Sequence, residues 1–232
     1  GGVMSYQQID SEVPDTVSVY PGARVLRSRL GAHCVVGNHS RVDDSVLGAH
    51  ARIDRNNHLT HAAVGAHSYT GMDTVIMHAT LGAFCAVSWH VSIGGADHDV
   101  SRIAQHSFLY NHHDGLRPAE ADIPYDRFAP PVLIGSDVWL GSGTAVCRGL
   151  TIGHGVAVGA NSVVTRDVPD FAVVVGAPAR VIRMRFTDAV IELLLRLRWW
   201  DWDDGLIRQH FAVLSSQPDV GRLRELVAEL RA

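Results

Sequence analysis

The chain reads as an all-β parallel helix of hexapeptide repeats with a C-terminal α-helical appendage. Three observations predict this: a 17-residue register that holds over five coils, an 18-residue register that resumes after an interruption, and a switch to helical spacing beyond residue 184. Leu30, Leu47, Val64 and Leu81 stand 17 residues apart, and Val13 carries the register one coil further back. Within a coil, an aliphatic residue is usually followed by Gly, then by two variable residues, then by a small one. Cys34, Ala51, Ser68 and Cys85 form that small column. Three such hexads make one triangular coil: the aliphatic residue points inward, the small residue permits the turn, and Gly is expected to relax the tight corner. A 17-residue coil is one short of three hexads, so one corner is abbreviated. Ile134 and Ile152, 18 residues apart, open two full-length coils. Stacked coils bury a continuous aliphatic column, so stability is nearly a sum over neighbouring coils.

Two segments leave the pattern. Residues 99–131 carry aromatics, histidines and prolines without the period, and a long irregular loop in a compact domain is usually functional; it reads as an active-site excursion. Beyond residue 184 the apolar spacing becomes helical. Ile191, Leu194 and Leu195 follow Thr187 as N-cap, then come Leu206, Ile207, Phe211 and Leu214, then Leu223, Leu226, Val227 and Leu230. These helices are expected to cap the open end of the stack, whose bare edge would otherwise recruit other chains. The expected division is a β-helix domain over 13–183, with its excursion at 99–131, and a helical segment over 184–232. Gly1 and Gly2, ahead of Met4, are left out of this division.

At 232 residues and 47% hydrophobic content the chain can bury a substantial core. The net charge of −4, from 24 acidic and 20 basic side chains, supplies neither a basic field for nucleic acid nor a polybasic membrane patch. Cys34, Cys85 and Cys147 lack metal-type spacing, and the sequence shows no signal peptide and no long apolar span, which predicts a cytoplasmic protein.

From Gly82 to Trp202 the chain carries SIGGADHDV, then IGSDVWLGSG, VGANSVVTRDVP, VVGAPARVIRMRF and LLLRLRWWDW. This set resembles the xenobiotic acetyltransferases, the hexapeptide group that includes chloramphenicol and streptogramin acetyltransferases. The WWDW after a short helix, GAPAR and the His-bearing loop carry the resemblance. It implies a left-handed β-helix, a homotrimer, and acetyl-CoA lying between neighbouring subunits, with transfer to a small-molecule acceptor. It also implies that His98, at the start of the loop, is the catalytic base. Two departures stand out: Asp97 where the family more often has Asn, and Val87-Ser88-Trp89-His90 where it has Ile-Gly-Pro-Gly-like residues.

The implied chemistry is direct attack of a hydroxyl on the thioester. A neutral imidazole suits it, because histidine's ordinary pKa of about 6.5 lies near working pH. By resemblance, Ser142 lies beside the reacting thioester, with its backbone N–H as oxyanion donor. Trp139, Ser142, Ala160, Thr165, Arg166, Arg180 and Arg183 are the expected cofactor residues; guanidinium groups suit the phosphates of CoA. Tyr69, Asp73, Trp89 and His90 are assigned to the acceptor pocket from coil position. His112 and His113 either line that pocket or are plain loop residues.

His33, His50 and His67 share a column that Phe84 continues. It is either a ladder able to bind metal or an outward column in which His fills a variable hexad position, and no metal is assigned to it. Two other readings stay open: a γ-type carbonic anhydrase-like zinc enzyme, and a non-catalytic β-helix scaffold.

Overall fold

Short extended runs separated by turns recur along the chain, and each pairs in parallel with the runs one coil before and after. The computed structural model describes residues 5–122 and 125–231, so Gly1 and Gly2 lie outside the described residues. Three inward columns define three faces. The first runs Val25, Val42, Leu59, Ile76, Ile93, Val146, Val164. The second runs Leu30, Leu47, Val64, Leu81, Ile134, Ile152. The third runs Val19, Val36, Ile53, then Val87, Leu140, Val158 and Val174, its two halves joined by backbone bridges at Tyr69. All but Val19 of these columns are buried. Leu81 pairs directly with Ile134. The excursion therefore adds chain without shifting the coil register. Upstream of residue 13, Gln7–Ile9 also pairs in register with Arg24–Leu26.

Three corners separate the faces. A histidine corner lies between the second and third faces, a serine corner between the third and first, and a loop corner between the first and second. At the histidine corner His33, His50, His67 and Phe84 all take positive φ, 59° to 61°. The glycines after the aliphatic residues have a different purpose from the expected one: the left-handed residue lies two positions later, and it is His or Phe. A Cβ on Gly31 would stand 2.5 Å from the Ala49 nitrogen of the next coil. Glycine here permits coil-on-coil approach rather than a left-handed turn. Buried hydroxyls tie the coils together, as where Ser40 Oγ donates to Asp54 O at 2.6 Å and accepts the Asn57 N–H at 3.0 Å.

The appendage comprises α1 (Asp188–Leu197), α2 (Asp204–Gln209), α3 (Phe211–Leu214) and α4 (Val220–Arg231). Val190, Leu193 and Leu197 of α1 pack with Leu223, Leu226 and Val227 of α4 in a second apolar cluster. The buried stripe of α1 is thus displaced from the expected Ile191, Leu194 and Leu195. Thr187 is at the N-cap position, but its side chain makes no capping bond, and Phe211 is exposed.

The helices do not close the end of the stack as expected; they lie along its flank. The Trp199 ring stands 5.0 Å from Phe84, Trp200 stacks on His154 at 4.8 Å, and His67 Nε2–H donates to Asp204 Oδ1 at 2.8 Å. The positive-φ corner turns the Phe84 ring outward, and that ring gives Trp199 a surface. On the third face the last coil is extended instead by an antiparallel hairpin, Ala172–Gly176 with Ala179–Met184.

Two measurements check this architecture. Ile76→Ala removes a fully buried side chain from the first column and should cost about 2–5 kcal/mol in denaturant unfolding. The Asp204 carboxyl is held below the usual carboxylate range, first by its hydrogen bond from His67. A depressed folded value stabilises above the unfolded one and is lost as pH falls through the folded one. Asp204→Asn should therefore lower Tm slightly at neutral pH, and melts taken down from about pH 4 should show that difference shrinking away.

Candidate active site

The excursion leaves the loop corner after Ile93 and returns at Val132. Its two roots are pinned by one side chain, Arg148, which reaches the loop corner from the resumed coils. Its guanidinium donates to the carbonyls of Gly94 at 2.6 Å and Gly95 at 3.3 Å on the outgoing strand, and of Phe128 at 2.7 Å and Pro130 at 3.5 Å on the return. It also donates to the carbonyls of Met77 and His78 in the coil below. Arg148 is buried, and burial pulls its pKa down, with Asp97 and Asp126 opposing. Among the described residues it forms no ion pair; carbonyl dipoles alone satisfy it. The Phe128 ring stacks on His78 at 4.1 Å and His78 on His61 at 4.4 Å. Burial, followed by the charges of His61 and Arg148, lowers the His78 pKa.

His98 is held within this rooted loop. Its Nδ1 lies 2.6 Å from the Gln105 carbonyl oxygen, an acceptor only, so Nδ1 carries the proton. Nε2 therefore presents its lone pair, which accepts Arg127 Nη2–H at 2.9 Å. The imidazole meets Tyr110 edge-on at 5.9 Å, and the Arg127 guanidinium lies 4.8 Å from the same ring. Asp97 engages Arg127 through its main chain: its carbonyl accepts Arg127 Nε–H at 3.0 Å and its N–H donates to Arg127 O at 2.9 Å. Tyr110 Oη accepts the Asp99 N–H at 2.9 Å. Hydrogen bonds from Ser101, with Arg102 adding, keep the Asp99 carboxyl below its ordinary range. His112 donates to Arg117 O at 3.3 Å within the loop, and His113 N–H donates to Asn111 Oδ1.

Ser142 sits at the serine corner, between Trp139–Leu140 and Ala145–Val146. Its carbonyl accepts the Asn161 N–H at 2.8 Å. Ala160 lies one coil further along the same corner, and Trp139 is half exposed on the third face. Arg180 and Arg183 project from the terminal hairpin with only local side-chain bonds, to Ala179 O and Met184 O. Thr165 and Arg166 follow Val163–Val164, on the first face, and are exposed. Trp139, Ser142 and Ala160 thus gather along one edge, with Thr165 and Arg166 a face away.

Asp73 and His90 occupy adjacent coils of the serine corner, 3.8 Å apart. Tyr69 and Trp89, with Tyr20, Arg52 and Arg55, line a groove of about 660 Å³ on the third face. Within one chain His98 is at a different corner from Ser142 and from all four of these residues.

Sequence reasoning missed Arg127, Tyr110 and Arg148. Only Arg148 left a signal, a long cation in the VCRG hexad that the next coil repeats as Arg166 in VTRD. The metal question gains a member: His50, His67 and Asp204 place ligand atoms within 4.8 Å of one another. The His50 and His67 rings are stacked 4.7 Å apart and nearly parallel, so their in-plane lone pairs run side by side rather than converge. Burial pushes the Cys85 thiol up to about 11, which leaves it a poor nucleophile.

The repeated coils define a hexapeptide-repeat protein. The family described as Bacterial transferase hexapeptide (six repeats) matches residues 131–166. Chloramphenicol acetyltransferase of Klebsiella aerogenes is 46% identical over 89 residues, 38% of this chain and 42% of that one. Its Escherichia coli counterpart is 32% identical over 137 residues, 58% of this chain and 64% of that one. A probable macrolide acetyltransferase of Lysinibacillus sphaericus is 32% identical over 143 residues, covering 60% of this chain and 78% of that protein. A hexapeptide-repeat acetyltransferase of Vibrio cholerae, solved with acetyl-coenzyme A, aligns with a TM-score of 0.47 at 25% identity, over 62% of this chain and 72% of that one. The chain belongs to the xenobiotic acetyltransferase family. Its match spans less than half of the Klebsiella relative and under two thirds of the Escherichia coli one.

The Arg148 clamp makes a checkable demand. Arg148→Met keeps an unbranched apolar stem but strips six carbonyls of their donor, and buried unpaired polar groups cost about 1–3 kcal/mol each. The variant should melt lower and lose at least about tenfold in turnover. Arg148→Lys should not restore it, because an ammonium cannot reproduce the planar fork.

Proposed function

We propose that the chain is an acetyl-CoA-dependent O-acetyltransferase acting on a hydroxyl of a small molecule: an antibiotic, another natural product or a sugar. The observation that carries this reading is the tautomer of His98. With Nδ1–H committed to the Gln105 carbonyl, Nε2 is the basic nitrogen. The acceptor hydroxyl gives its proton to Nε2 as its oxygen bonds to the thioester carbonyl carbon. The C–S bond then breaks, and the imidazolium returns the proton to the departing CoA thiolate. No covalent enzyme intermediate is required, and positioning of the two substrates supplies much of the remaining rate.

Ser142 is proposed beside the thioester, its N–H toward the developing oxyanion. Trp139, Ala160, Thr165, Arg166, Arg180 and Arg183 are proposed along the cofactor, the arginines toward its phosphates. Tyr69, Asp73, Trp89 and His90 are proposed for the acceptor. The separation of His98 from Ser142 by a corner of the coil supports a site completed by a neighbouring copy, in a homotrimer. The β-helix domain is proposed over 13–183 and the helical segment over 184–232. A cytoplasmic location, where acetyl-CoA is at hand, accords with three unpaired thiols. No helix among the described residues is long and apolar enough to cross a membrane.

The reading is tested with chloramphenicol, macrolides and sugars as acceptors, following acetyl-CoA consumption. His98→Ala should lower kcat by about 10²- to 10⁴-fold with little change in Tm. Equal consumption by parent and variant would exclude His98 as the base.

A further inference from the structure

An acyltransferase with an exposed base has a competing reaction, because water can replace the acceptor. His98 is exposed. A neutral imidazole with Nδ1–H bonded has one lone pair left, in the ring plane at Nε2, and that lone pair accepts one well-directed hydrogen bond. Arg127 Nη2 takes it at 2.9 Å.

Arg127 is fixed there by contacts that do not involve His98. Its Nε–H donates to Asp97 O, its carbonyl accepts the Asp97 N–H, and its guanidinium lies over Tyr110. It makes no ion pair among the described residues, so no carboxylate draws Nη2 off the imidazole. Asp99, the nearby acid, is committed to Ser101 and Arg102. Tyr110 spends its hydroxyl on the Asp99 N–H. No other cation shares this position beside His98 among its described contacts.

We propose that Arg127 caps the base: it holds the Nε2 lone pair until an acceptor hydroxyl displaces Nη2, and so restrains hydrolysis of acetyl-CoA by water. This deepens the reading of His98 as the base and rests on it. In the restrained reaction a water proton would pass to Nε2 while the water oxygen bonds to the thioester carbonyl carbon. The C–S bond would break and the proton would go to the CoA thiolate, giving acetate and free CoA. An acceptor that presents a second oxygen beside its reacting hydroxyl gives the displaced Nη2 a new partner. Flanked hydroxyls, as in diols and hydroxy-ethers, are therefore the favoured class.

The test uses the full chain with acetyl-CoA alone and measures release of free thiol. Arg127→Met should raise acceptor-independent release by about tenfold or more, the equivalent of one charge-assisted hydrogen bond. Arg127→Gln, which keeps a polar side chain in the same place, should raise it in the same direction. His98→Ala/Arg127→Met should return it to the parent's level. Imidazole ¹⁵N spectra give a readout independent of turnover: the Nε2 resonance of His98 should move in Arg127→Met while Nδ1 stays protonated. Unchanged release and an unchanged Nε2 resonance in folded Arg127→Met would overturn the cap and leave the base reading standing. A rise that persists in the double variant would show that the uncovered base is not His98 and would overturn the cap, whereas the base reading falls only if His98→Ala consumes acetyl-CoA with an acceptor as the parent does.

Discussion

Everything in this molecule depends on identical coils lying directly on one another at backbone hydrogen-bonding distance. That constraint admits no Cβ at Gly31 or Gly48, each of which faces the main chain of the next coil at about van der Waals overlap. It also stacks equivalent corner positions of successive coils into columns. The His33, His50, His67 and Phe84 rings stack at 4.7 to 4.8 Å because the coil spacing stacks them. The appendage then exploits a surface the solenoid had already made, with Trp199 continuing the aromatic line. A helical element attached this way is registered to particular coils, and its polar contact, His67 with Asp204, falls one coil before the column's last ring, Phe84.

The same geometry explains what was legible beforehand. Leu30 to Leu81 announce the register because inward positions tolerate only aliphatic residues, and Ile134 announces its return because the excursion leaves Leu81 its partner. Corner residues obey a weaker rule: the sequence points to Gly for relaxing the tight corner, whereas His33 and Phe84 take its left-handed position. Periodicity reports which residues recur, whereas the positive φ falls three places past the strand, as at His33 after Leu30. The helices misled in a similar way. Alternative apolar stripes of α1 were available, and only docking against Leu223 and Leu226 selects Val190, Leu193 and Leu197.

The proposed base was legible in the sequence, and what holds it was not. His98 sits in a recognisable run, but Gln105 contributes a backbone carbonyl, which any residue type would supply. Arg127 is 29 residues from His98 and reaches it only because both ends of the excursion converge. That convergence is enforced by Arg148, from a coil that begins after the loop has closed. A cation satisfied by carbonyls rather than by a carboxylate leaves no complementary acid for sequence reasoning to find. Its choice is nonetheless physical: a guanidinium has five donors in one plane, enough to bind two chain segments and the coil beneath them at once.

The way His98 is supported also shapes the chemistry. In a Ser-His-Asp arrangement the Nδ1–H points at a carboxylate, which steadies the imidazolium once it forms. Here the partner is a carbonyl dipole, and the nearest full charge, on Arg127, is positive. Such a setting orients the ring but gives the imidazolium little to rest on. In the proposed transfer a proton accepted from the substrate is therefore best passed on quickly, and the departing thiolate would be its recipient. An acyl transfer with no enzyme-bound intermediate needs only that brief loan, since the group deprotonated at the start and the group protonated at the end belong to the same encounter. The carbonyl-held, arginine-capped imidazole is suited to that single-step exchange, and poorly suited to the long-lived charge separation of a covalent mechanism.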